Sequence, residues 1–95
     1  MIKSILQNKK ECYVCQTTLN LELHHCIYGT AKRKLADKYK LTVWLCNKHH
    51  TGIDGVHTAN KQLDTHLKQL SQKEFINEYK KTTDDFIKIF GKGYL

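Results

Sequence analysis

Leu41-Thr-Val-Trp-Leu-Cys-Asn-Lys-His-His50 is the stretch whose reading decides the fold. Its first half, LTVWLC, is β-branched and aromatic, which predicts a strand over 41–46. Its second half turns at Asn47 into a helix, or into a loop before one. Upstream, Leu19–Ile27 (LNLELHHCI) alternates apolar and polar residues at Leu19, Leu21 and Leu23. That period of two predicts a partner strand, paired antiparallel with the first. Between the strands, Tyr28–Lys40 is a charged excursion opened by Gly29.

Outside this hairpin the pattern changes to helical. Gly52 and Gly55 bracket a loose segment, and from Thr58 onward Leu63, Leu67 and Leu70 fall on one face of a helix. Ser71 with Glu74 either opens a new helix as a capping box or lies inside one long helix running to about Tyr79. Thr83 before Asp84 and Asp85 predicts an N-cap with acids in the first turn. Phe86, Ile87 and Phe90 form the buried face of that last helix, and Gly91 stops it. Residues 1–10 are a short basic lead-in with a partial helix. The sum is an α+β fold in a single domain, 1–95: a hairpin-based unit over 11–57 and a C-terminal helical segment over 58–95.

A chain of 95 residues with 40% hydrophobic residues is not disordered by composition, but it cannot bury a large core. Small polar domains of this kind often need a staple of disulfides or metal. Cys12, Cys15, Cys26 and Cys46 are available. No secretory signal precedes them and no apolar run is long enough to span a membrane. A cytoplasmic, reducing compartment is therefore expected, where cysteine pairs read as metal ligands rather than disulfides.

Cys12-x-x-Cys15 is half of a zinc site, since two thiolates at this spacing on a turn both reach one ion. Cys46-x-x-His49 repeats the spacing and completes a Cys3His tetrahedron. The alternative is a core thiol at Cys46 and a lone redox pair at Cys12 and Cys15. Cys26 reads as a core residue. The formal net charge of +7, from 16 basic against 9 acidic residues, favours an anionic partner, nucleic acid first. Lys32, Arg33, Lys34, Lys38 and Lys40 in the excursion are candidate phosphate contacts, or else a solvated loop. Trp44 and Tyr28 are candidates for stacking on bases, although Trp44 suits a core position better. His66 reads as a surface residue.

With His49 assigned to the clip, His24, His25, His50 and His57 remain. Phosphodiester hydrolysis needs a base to activate water, a cation to stabilise charge on the phosphate and leaving oxygen, and a basic surface to hold the strand. Imidazole titrates near neutrality and also ligates metals, so one histidine cluster supplies both roles. In a flat strand His24 and His25 point to opposite faces. To serve one site, the strand has to end, twist or bulge there.

The ordered series Cys12-x-x-Cys15, Leu23-His24-His25-Cys26-Ile27 and Leu45-Cys46-Asn47-Lys48-His49-His50 resembles the HNH endonuclease family. It looks closest to small phage-type members whose second motif reads Leu-Cys-x-x-His-His. The resemblance covers residues 11–57. The tail Phe86–Lys92 also looks like that of phage recombination-type nucleases. What the resemblance implies is a ββα-metal fold, a hairpin and helix gripping one divalent cation, with a phage or prophage origin. By motif position it makes His24 a metal ligand, His25 the general base, His50 the ligand at the start of the helix, and His57 a further ligand. The family's middle asparagine is replaced by Leu41, so another group has to orient His25.

The expected function is metal-dependent hydrolysis of DNA, RNA being open. The cofactors are a structural zinc and a catalytic divalent cation from among manganese, magnesium, nickel, cobalt and zinc. Imidazole ligands favour a transition metal over magnesium. The alternative is a non-catalytic zinc module that grips nucleic acid. A protein-interaction face at Leu63, Leu67 and Leu70 is a third reading, and those leucines are simpler as core.

Overall fold

The computed structural model describes residues 4–29 and 31–95. The element order is β1 (Leu21–His25), α1 (Lys32–Lys38), β2 (Thr42–Cys46), α2 (Asn47–His50), α3 (Lys61–Tyr79) and α4 (Thr83–Phe90). This is an α+β arrangement built on a two-stranded antiparallel sheet.

The sheet register pairs Leu21 with Cys46, Leu23 with Trp44, His24 with Val43 and His25 with Thr42. Alternation then puts Glu22, His24, Val43 and Leu45 on one face. That face turns inward: His24 is 1% exposed, and Val43 and Leu45 are fully buried with Cys26, Val56 and Leu67. Leu19, expected to begin the strand, lies outside it and is 70% exposed. Asn20 takes a left-handed φ of 54° just before the strand begins, which breaks the extended run.

The N-terminal segment is not helical among its described residues. It runs along β2 instead. The Trp44 amide donates to Gln7 Oε1 at 2.8 Å, the Tyr13 amide donates to the Trp44 carbonyl at 2.8 Å, and the Ser4 hydroxyl donates to the Thr42 carbonyl. The backbone groups of β2's outer edge are thereby satisfied rather than left open to pair with another chain. Trp44 is half-buried in this contact with the Lys10 ammonium 4.8 Å from its ring centre, consistent with a packing role.

The charged excursion contains an unforeseen helix. Its surface is basic, but Ala36 is buried and Leu35 half-buried, so α1 docks by a narrow stripe. A second apolar cluster of Ile27, Ala36, Leu41, Phe75, Phe86 and Phe90 sits under it. Leu41 is fully buried there, which is why an apolar residue stands at this position.

α3 is one helix of 19 residues. Asn60 caps it by accepting from the Leu63 amide at 3.0 Å, and the Ser71 hydroxyl donates back to the Leu67 carbonyl at 2.7 Å, so Ser71 is interior and caps nothing. Leu67 is buried while Leu63 and Leu70 are half-buried. The N-cap of α4 is Thr82, one residue before the expected Thr83: its hydroxyl accepts from the Asp85 amide at 3.2 Å, and Asp85 answers the Thr82 amide at 3.0 Å. Phe86 and Phe90 are buried as expected, but Ile87 is 38% exposed, because the short helix presents only an i, i+4 stripe to α3. Gly91 ends α4 at a φ of 89°.

Candidate metal centre

α2 is a one-turn helix that follows directly from β2 and carries two adjacent histidines. Neighbours on a helix point about 100° apart and never share a face. His49 and His50 therefore serve two different clusters, and the resulting geometry divides the chain's ligands between them.

The first cluster is Cys12, Cys15, Cys46 and His49, whose ligand atoms all lie within 4.8 Å of one another. Cys15 Sγ is 3.8 Å from Cys46 Sγ, and His49 Nδ1 is 3.7 Å from Cys12 Sγ and 3.2 Å from Cys46 Sγ. A tetrahedral zinc with bonds of ~2.3 Å to sulfur and ~2.0 Å to nitrogen requires edges of roughly 3.5–3.8 Å. The donors fit, and this group can hold a structural metal such as zinc. Burial opposes ionisation of the Cys12 thiol, but hydrogen bonding to the Cys15, Cys46 and Val14 backbone outweighs it and brings it down to about 6, toward the thiolate a metal needs. Cys26 stands apart as a core residue, its thiol pushed up to about 12 by burial.

The second cluster is His24, His50 and His57, again with ligand atoms within 4.8 Å. The ring centres are 5.3 Å apart for His24 and His50, 5.1 Å for His24 and His57, and 4.9 Å for His50 and His57. Each ring is delivered by a different device. His24 comes from the inner face of β1. His50 comes from α2, where its Nδ1 pairs with Glu22 Oε1 at 2.7 Å, leaving Nε2 free to ligate. His57 comes from the loop that folds back on α2: the Val56 amide donates to the His49 carbonyl at 3.0 Å and the His57 amide to the His50 carbonyl at 3.2 Å. Gly55 permits this return, since a Cβ there would stand 2.6 Å from the His50 carbonyl oxygen.

His24 Nε2 is buried with no hydrogen-bond partner. An orphaned nitrogen in such a place calls for an explanation, and a cation provides one. Burial, reinforced by the nearby His50 and His57, drives the His24 imidazole down to about 3, so at neutral pH it offers a lone pair. His57 is also shifted down, by burial first and then by the neighbouring His50. The donor set fits a divalent transition metal.

His25 stands next to this cluster rather than in it. Both members of the strand pair, with His50, His57, Tyr28 and Arg33, line one cavity of about 280 Å³. β1 ends at His25, which lets the last two side chains of the strand reach the same space. His25 is 9% exposed, and its Nε2 lies 2.7 Å from Asp37 Oδ1. A carboxylate only accepts, so Nε2 carries the hydrogen, and in the neutral form of the ring the lone pair falls on Nδ1. Asp37 thus supplies the orienting group that Leu41 cannot.

Among the basic residues expected to contact phosphate, Arg33 lines the cavity. It stands one turn before Asp37 on the same face of α1. Lys34, Lys38 and Lys40 are exposed and Lys32 is half-buried, and none of these four lines it. His66 is exposed as expected, 3.3 Å from the Tyr13 hydroxyl. Two residues of consequence escaped the sequence reading. Asp37 is the sole acid between Gly29 and Lys40, a signal in plain view, and Glu22 lies two residues before His24 on the same strand face. No helix among the described residues is long and apolar enough to cross a membrane. No protein-family model, no curated protein and no solved structure matches the chain.

Proposed function

We propose that this protein is a metal-dependent endonuclease of the HNH, ββα-metal kind that hydrolyses phosphodiester bonds in DNA. The observation that carries this reading is the shared cavity. Three imidazoles with converging ligand atoms, one of them a buried orphan, lie beside a fourth imidazole held at Nε2 by a carboxylate. A cation site alone needs no His25–Asp37 pair, and hydrolysis does.

His24, His50 and His57 would hold the cation, and Cys12, Cys15, Cys46 and His49 a structural zinc. When bound, the divalent cation supplies Lewis-acid stabilisation of negative charge on the phosphate and on the leaving oxygen. His25 Nδ1 accepts a proton from water as the water oxygen bonds to phosphorus. The bond to the 3′ oxygen breaks, and that oxygen takes a proton from solvent. Asp37 fixes the His25 tautomer and stabilises the imidazolium that forms, the part a carboxylate plays beside a general-base histidine. Arg33 offers a planar pair of donors to a phosphate at the cavity mouth. Glu22 holds the His50 ring through Nδ1, a common support for a metal-bound histidine. The net charge of +7 draws the polyanion in.

The test is nicking of supercoiled plasmid and of a single-stranded circle across manganese, magnesium, nickel, cobalt and zinc. His25→Ala is expected to lose at least about 100-fold in rate with its zinc content unchanged. Nicking by that variant at the wild-type rate would remove His25 from the chemistry. Binding without cleavage in every metal would instead favour the non-catalytic nucleic-acid module.

A further inference from the structure

Tyr28 stands between the three-histidine cluster and α3, and nothing in the proposed hydrolysis uses it. Its ring packs edge-on against His57 at 4.8 Å between centres and lies 5.9 Å from His24. Its hydroxyl donates to Asp64 Oδ1 at 3.0 Å. The other Asp64 oxygen takes the Lys68 ammonium at 3.0 Å, and that ammonium sits 4.6 Å from the centre of the Tyr28 ring. Hydroxyl, carboxylate, ammonium and ring face close into one circuit. The Asp64 and Lys68 side chains are 14% and 22% exposed, so this is not a solvated pair on a helix surface.

An i, i+4 ion pair on α3 accounts for Asp64 and Lys68 by themselves, but such pairs contribute little and need no phenol. Here the carboxylate also reaches 36 residues back along the chain to Tyr28. The benefit falls on His57. His24 is locked by burial and His50 by Glu22. His57 is exposed on a loop, and among the described residues no side-chain hydrogen bond holds its ring. Beyond the two imidazoles of its own cluster, at 5.1 and 4.9 Å between centres, the Tyr28 ring is the aromatic neighbour that confines it from the α3 side. An unconfined imidazole would lose rotamer freedom on binding a cation, which weakens binding.

We propose that Tyr28, anchored through Asp64 and Lys68, is a positioning residue that presets the His57 imidazole for the cation. The proposal rests on the reading of His24, His50 and His57 as a cation site. Its test is a cobalt(II) titration of the zinc-loaded full chain, followed through the visible ligand-field bands, on wild type, Tyr28→Phe, Tyr28→Ala, Asp64→Asn, His57→Ala and the double variant Tyr28→Ala/His57→Ala.

Tyr28→Ala is expected to weaken cobalt affinity about tenfold and to alter the band intensity. Tyr28→Phe keeps the ring and loses the anchor, and Asp64→Asn keeps an oxygen that can accept from the hydroxyl but loses the charge that holds Lys68, so both should weaken it a few-fold. The double variant should bind no worse than His57→Ala, because Tyr28 acts through His57. Wild-type affinity in Tyr28→Ala, or losses that simply add in the double variant, would overturn the proposal. Should Tyr28→Ala not fold, wild-type affinity in both Tyr28→Phe and Asp64→Asn would overturn it equally. A wild-type chain that takes no cobalt beyond its sulfur site would sink the cation-site reading along with it. Normal loading with unchanged variants would sink this proposal alone.

Discussion

At the residue scale the buried, unpartnered His24 has a consequence for pH. Burial holds its folded-state value at about 3, well below the ~6.5 of an unfolded histidine. Between those values the unfolded chain takes up a proton that the folded one refuses. The His24 contribution to stability is therefore complete above about pH 6.5 and is lost as pH falls toward 3. Acid also releases metal from thiolates, so the useful quantity is a difference. Wild type should lose stability from pH 6.5 to 4 more steeply than His24→Asn, measured by denaturant unfolding; equal slopes would show that His24 does not stay neutral. The histidine doublets were legible because they break the composition of a strand end and a helix start. Asp37 and Glu22 were not, because each acts only through a neighbour that the fold brings to it: Asp37 needs α1 to exist, and Glu22 needs the hairpin register.

Elements differ in how openly the sequence declares them. β1 and β2 were readable from period-two and β-branched patterns, and α3 and α4 from their apolar spacing. α1 was hidden because seven residues rich in lysine and arginine carry an apolar stripe of just Leu35 and Ala36. Its docking depends on the cluster beneath it, which no local window reveals. The α4 cap slipped by one residue because Thr82 and Thr83 are adjacent and acids follow both; the reciprocal bond with Asp85 selects Thr82. Thr82→Ala should cost about 1 kcal/mol of stability while Thr83→Ala costs a few tenths, read from urea midpoints. The return loop after α2 gives a stronger effect. In Gly55→Ala the new methyl meets the His50 carbonyl oxygen at 2.6 Å, a backbone atom that cannot swing aside. A loss of about 1–3 kcal/mol is expected, with weakened cation binding because His57 moves with the loop. A variant with wild-type stability and affinity would show that the loop does not hold His57.

For the whole molecule, two small apolar clusters meet around a two-stranded sheet, and the sulfur-rich group ties the N-terminal segment to the start of α2. In a domain this small, metal binding and folding are one free energy. Stripping the clip with a strong chelator should lower the thermal midpoint by about 10 °C or more, checked by circular dichroism with and without zinc restored. An unchanged midpoint would make the clip dispensable. The same helix that completes the clip through His49 presents His50 to the second cluster, so the loss should carry over to that site.

Two metal ions per chain in two different ligand environments are expected, and metal-edge anomalous diffraction from the cobalt- and zinc-loaded protein counts and locates both. The expected result is one ion bound by three sulfurs and the His49 ring, and a second among His24, His50 and His57 with an open position facing His25. A single ion per chain, or a second ion bound away from those three rings, would contradict it.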